Sequence, residues 1–138
     1  MSSGFVFSHR LPVRFRDCDP HGHVNNAVFH TYLEETRLAL WRHVFGPEGM
    51  PGAGTILARV EMDYRAPAFV NDLLEVGVTL GELGRSSIPL VYNVINVSTR
   101  QSLVAARTVI VTFDYAARKP MPIPAGARER LLGLAPGV

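Results

Sequence analysis

The sequence predicts an α+β fold, a five-stranded antiparallel sheet wrapped on one long central helix. Three observations carry this. The run from Asn26 to about Phe45 keeps a helical apolar period. Four later segments have strand patterns. The links between those segments, "APAFVND", "GELGRSS" and "STRQS", are too short for parallel crossovers, which need about a dozen residues.

Taken in order, Phe5 to Phe15 reads as a first strand, interrupted by Pro12, which fits an edge or a bulge. A dense polar loop, Asp17 to Asn25, follows. The helix begins after it, with Asn25 or Asn26 as N-cap. Phe29, Leu33, Leu40 and Val44 fall on one stripe, widened by Trp41. Glu34 and Arg37 are spaced to pair on the exposed side. "GPEGMPGAG" is turn chemistry and ends the helix. In "LARVEMDYR", Ala58, Val60, Met62 and Tyr64 share one face and Arg59, Glu61, Asp63 and Arg65 the other. "LLEVGVTL" places Leu74, Val76, Val78 and Leu80 together. "IPLVYNVINV" and "LVAARTVIVTFDY" are apolar on both faces, as central strands are. "PAGARERLLGL" is a candidate short helix. One helix covers one face of such a sheet, so self-association is expected.

A chain of 138 residues suits one domain over 1–138. With 47% hydrophobic and 19% charged residues, a disordered chain is excluded. The net charge is +2, and Lys119 is the sole lysine among many arginines. That weak excess fits a small phosphate-bearing ligand rather than nucleic acid, which calls for a dense basic patch. Cys18 is the single cysteine, so no internal disulfide forms and a thiolate-rich zinc site is excluded. A reducing, intracellular compartment is expected. "MSSGFVFSHR" reads as no signal peptide, and no apolar run is long enough for a membrane span.

The loop "DCDPHGHVNN" holds the candidate chemistry. Asp17, Asp19, His21 and His23 offer metal ligands, but alternate residues of an extended loop diverge and no familiar ligand spacing is present, so no metal is expected. Cys18 sits between two carboxylates, which raise a thiol pKa, so it reads as a small buried thiol. Asp19 has two readings. It is a turn-forming residue ahead of Pro20. Alternatively, it is a carboxylate set against the free N–H groups of a helix start, where a carbonyl would be polarised. The residues alone leave both open.

The segment "VRFRDCDPHGHVNNAVFHTYLEETR" is similar to the start of hotdog-fold acyl-CoA thioesterases of the 4-hydroxybenzoyl-CoA thioesterase class. "DYRAPAFVNDLLEV" matches a second feature of that family, and the likeness runs from about Pro12 to Pro124. The resemblance implies that Asp19 is the catalytic carboxylate and that Asp17 is not the attacking group. It implies that the backbone N–H of Asn26 polarises the thioester carbonyl, and that His23 fixes the turn. Asparagine at position 26 stands where some relatives carry histidine or an aromatic residue, which separates this chain from strict aromatic-acyl specificity.

The resemblance also implies that CoA binds across a subunit boundary, through Arg85 and Ser86 in one turn and Arg118 and Lys119 after the last strand. It implies a cytoplasmic acyl-CoA thioesterase, a homodimer or homotetramer, with no metal or organic cofactor. A thioester is already activated, so a carboxylate and an oxyanion site suffice. Its rivals are a hotdog dehydratase or hydratase, which would use a His paired with Asp19, and a non-catalytic acyl-CoA-binding hotdog protein.

Overall fold

The computed structural model describes residues 4–134; the ends of the 1–138 span lie outside them. Strand β1 (Phe7–Pro12) leads through a 3-10 turn (Phe15–Asp17) to helix α1 (Asn26–Phe45). Strands β2 (Gly54–Tyr64), β3 (Leu73–Leu80), β4 (Ser87–Asn96) and β5 (Ser102–Asp114) follow. A two-residue β6 (Lys119–Pro120) and helix α2 (Ala125–Leu132) close the chain. The sheet order is β1-β3-β4-β5-β2, antiparallel throughout, with β6 also on β5. This is the hotdog arrangement, a sheet wrapped on one central helix.

Helix α1 forms where its apolar period runs, and both ends are capped. The Asn25 side chain accepts the Ala27 N–H at 2.9 Å. Gly46 adopts φ 88° and its N–H donates to the Arg42 carbonyl, an ending that favours glycine. The buried face holds Phe29, Tyr32, Leu33, Thr36, Arg37 and Leu40. Val44 and Trp41 are only half-buried. The expected exposed pair of Glu34 and Arg37 does not form. Arg37 turns inward, and its Nη1 donates to the Tyr92 hydroxyl.

The helix packs on one face of the sheet, where register stacks Val76, Val94 and Val104 in one row and Val78, Tyr92 and Ala106 in the next. These rows are almost wholly buried. On the opposite face Val91 and Arg107 are exposed.

Three strand expectations are corrected. β1 is shorter than Phe5 to Phe15: it ends at Pro12, and the chain then turns at Phe15. β2 carries a bulge at Ala58, so Leu57, not Ala58, joins Val60, Met62 and Tyr64 on the helix-facing side. β6 was not foreseen; Asp114 Oδ1 accepts the Ala116 and Ala117 N–H groups and folds the chain back, with Arg118 at φ 57°. The Arg128 guanidinium donates to the Gly84 and Arg85 carbonyls and fastens α2 to the β3–β4 turn.

Candidate active site

The loop before α1 is held from below by Asp17, which is 5% exposed. Its Oδ2 accepts from the Tyr32 hydroxyl at 2.7 Å, the Arg14 N–H at 3.0 Å and the Arg14 Nε at 3.4 Å. Burial works to raise the Asp17 pKa, but the Tyr32 and Arg14 bonds and the Arg14 charge outweigh it, and the group stays below the usual carboxylate range. Burial first, and then Asp17, push the Tyr32 phenol far upward, so it remains a donor. Asp17 is therefore an anchor. Cys18 packs half-buried against the core, its Sγ 3.7 Å from the Arg14 carbonyl.

Asp19 begins the turn itself. Its Oδ1 accepts the His21 N–H at 2.9 Å and the His23 N–H at 3.3 Å. Its own N–H donates to the His23 carbonyl, and its carbonyl accepts the Gly22 N–H. Gly22 sits at φ 83°, a conformation that glycine adopts without steric cost. Among the described residues, the second carboxylate oxygen has no hydrogen bond. One oxygen thus builds the turn and the other is free, so the two readings of Asp19 are compatible.

The turn is pinned beside the end of β2. Val24 donates to the Ala68 carbonyl, and the His23 ring meets Phe69 edge-on with centroids 5.0 Å apart. The Tyr64 hydroxyl donates to the Asn26 carbonyl at 3.2 Å. At the helix start, Ala27 N–H is taken by the Asn25 side chain and Val28 N–H by the Asn25 carbonyl. That leaves the Asn26 N–H without a partner among the described residues, at the positive end of the helix dipole.

Asp19, His23 and Asn26 line one open cleft of about 290 Å³, completed by Phe29, Tyr64, Arg65 and Pro67. The expected catalytic residues are thus neighbours. Tyr64, Arg65 and Tyr32 were not expected at the site. A buried phenol one turn after Phe29 needs a partner, which was the available signal for Tyr32. Among the described residues no three His, Cys, Asp or Glu side chains converge to hold a metal ion.

The expected CoA contacts lie elsewhere. Tyr64, beside the cleft, pairs with Val104, whereas Ser87 pairs with Val111 and Lys119 with Asp114. At about 3.4 Å per residue along β5, Arg85, Ser86, Arg118 and Lys119 are roughly 25 Å or more from the cleft of their own chain. The Arg85 carbonyl accepts from Ile123 and the Ser86 carbonyl from Thr112, so these backbones support α2 and β5.

Residues 13–131 match the model of the thioesterase-like superfamily. The chain belongs to that superfamily. Among solved thioesterase-like structures, it superposes with TM-score 0.84 on a thioesterase from Thermus thermophilus complexed with coenzyme A and zinc, at 36% identity over 96% of each chain. It is 28% identical over 129 residues to the long-chain acyl-CoA thioesterase FadM of Escherichia coli (strain K12), covering 88% of this chain and 94% of that protein. It is 25% identical over 120 residues to the acyl-CoA thioester hydrolase YbgC of Escherichia coli O157:H7, covering 83% and 89%. Among the described residues, no helix of this thioesterase-like chain is long and apolar enough to cross a membrane.

Proposed function

We propose that this chain is an acyl-CoA thioesterase, hydrolysing an acyl-CoA thioester to the free acid and CoA. The observation that carries the reading is that Asp19 and Asn26 line one cleft and that, among the described residues, one Asp19 carboxylate oxygen and the Asn26 N–H have no hydrogen-bond partner. A thioester carbonyl oxygen seated at that N–H is polarised, and the negative charge that develops on it is stabilised by the N–H and the helix dipole. Asp19 drives attack on the carbonyl carbon, directly or by taking a proton from water. The C–S bond breaks, CoA leaves as the thiolate and is protonated, and water supplies the oxygen of the acid. No metal or organic cofactor enters this scheme. His23 holds the turn through its backbone and its contact with Phe69. Asp19 meets His23 through the backbone N–H, not the ring, which speaks against a His–Asp dehydratase pair.

In this reading residues 1–138 form one cytoplasmic domain that works as a homodimer, or a homotetramer built from it. β2 is an edge strand, and among the described residues its other side has no strand partner. Antiparallel pairing of two such edges across a twofold axis sets the Gly54 end of one copy beside the Tyr64 end of the other. Arg85, Ser86, Arg118 and Lys119 of one copy then approach the cleft of its neighbour, where arginine suits the CoA phosphates. A screen of acyl-CoAs of different length and shape, read by thiol release, tests the reading. Turnover of at least one acyl-CoA is expected, and a protein that binds acyl-CoA without releasing thiol would be a binding module.

A further inference from the structure

Tyr115 is 61% exposed in the turn that joins β5 to β6, yet its ring is held in place. The hydroxyl donates to the Thr55 carbonyl at 2.8 Å. The ring meets Phe113 at a steep angle, with centroids 5.1 Å apart. It also lies so close on Gly54 that a Cβ at that position would overlap it. Glycine, having no Cβ, admits that approach. An aromatic ring that is fixed but largely bare suits a flat, conjugated ligand, because offset stacking adds to the area that becomes covered.

The ring lines an open cleft of about 340 Å³ with Gly52, Gly54, Phe113, Asp114 and Met121. Asp114 Oδ1 accepts the Ala116 and Ala117 N–H groups, and among the described residues its other carboxylate oxygen has no hydrogen bond. Cations adjoin this cleft. Lys119 is the register partner of Asp114, about 5 Å away between Cα atoms, and Arg118 precedes it. Both are exposed, and among the described residues neither forms an ion pair. Arg118 sits at φ 57°, a left-handed backbone that favours glycine, so an arginine is kept there at a steric cost. The Thr112 N–H donates to the Ser86 carbonyl, which sets the β3–β4 turn with Arg85 roughly 7 Å back along β5 from Asp114. A bare ring, a free acceptor and neighbouring cations are the complement of a purine nucleotide. The base stacks, its exocyclic amine donates, and its phosphates take guanidinium and ammonium donors.

We propose that Tyr115 is the platform on which the adenine of CoA stacks, a base subsite beside the phosphate-binding residues. This rests on the thioesterase reading above and on its antiparallel pairing of β2 edges, which sets the Gly54 end of one copy beside the Tyr64 end of the other. One copy then holds the base and phosphates while its neighbour holds the thioester.

The test compares one acyl group carried on CoA and on pantetheine, which lacks the nucleotide, with the ratio of the two kcat/KM values as readout. Tyr115→Leu keeps apolar bulk over Gly54 but removes the aromatic face. It should lower the ratio about tenfold, mainly through KM of the acyl-CoA, on the scale of one base stacked on one aromatic side chain. Tyr115→Trp restores a face and should keep the ratio within about threefold of the wild type. A second measurement needs no variant: adenosine 3′,5′-bisphosphate titrated with the wild type should show its adenine H2 and H8 resonances moved upfield by the ring, with cross-relaxation to tyrosine ring protons. A wild type that hydrolyses both carriers equally well, a ratio untouched by Tyr115→Leu, or a bisphosphate that binds with no upfield shift overturns the platform and leaves the thioesterase reading intact. A fall in the ratio accompanied by a smaller assembly also overturns it, because Tyr115 then serves the contact between copies. Absence of any acyl-CoA hydrolysis by the wild type overturns the underlying reading itself.

Discussion

Tyr32→Phe isolates the structural member of the two-aspartate loop. It deletes one hydroxyl and leaves the ring that packs beside Phe29. Asp17 then loses one of three donors while staying buried. A hydrogen bond to a charged group contributes about 1.5–3 kcal/mol, so that much stability should be lost at pH 7. For a domain of this size the melting temperature falls by roughly 5–10 °C. The pH dependence has a defined sign. The folded pKa of Asp17 lies below its ordinary value of 3.8, so its contribution is fully present above that value and is lost as pH falls through the folded pKa. Without the Tyr32 bond, burial is opposed only by Arg14, the folded pKa rises, and the stability that Asp17 supplies fades at higher pH than in the wild type. Urea unfolding from pH 7 down to pH 3, for both proteins, measures this. If Tyr32→Phe leaves stability within about 0.5 kcal/mol yet reduces turnover a hundredfold, Asp17 is acting in the chemistry and its role as anchor is wrong.

Three further outcomes are expected. Changing Arg85, Arg118 and Lys119 to Ala should raise KM and leave kcat nearly intact; loss of kcat at unchanged KM would put the nucleotide elsewhere. Light scattering at micromolar concentration should report a dimer or tetramer, and a monomer would remove the route by which those residues reach the cleft. Asn25→Ala should cost about 1 kcal/mol in denaturant unfolding through loss of the α1 N-cap, and a change of a few tenths would mean that another acceptor takes the Ala27 N–H.

Helix α1 was legible almost to the residue, because its period, an asparagine cap and a glycine stop are all local signals. β3 was legible for the same reason, its alternation being bounded by turn residues. Asp19 stood out because a polar loop and a helix start adjoin in sequence, but the residues alone left its two readings open, and the role of the Asn26 N–H came from the family resemblance. The inward turn of Arg37 could not, since its partner Tyr92 lies 55 residues away and helical spacing alone offered Glu34 instead. The bulge at Ala58 was hidden because Leu57 and Ala58 are both apolar and either continues the alternation. The separation of the CoA candidates from Asp19 depends on strand order. Nothing local says that β2 pairs with β5 and, among the described residues, lies at the edge of the sheet.

Thioester turnover by Asp19→Asn tests the central claim most directly. Asparagine keeps the oxygen that accepts the His21 and His23 N–H groups, so the turn stands while the charge goes. Unfolding should match the wild type within about 0.5 kcal/mol, and kcat on the best acyl-CoA should fall by at least about a hundredfold, the scale of a positioned base. Cys18→Ser, assayed beside it, should keep most activity, as should the wild type treated with a chelator. Near-full turnover by Asp19→Asn, or its abolition by the chelator, would contradict the account and move the chemistry to a histidine-bound metal in the same loop.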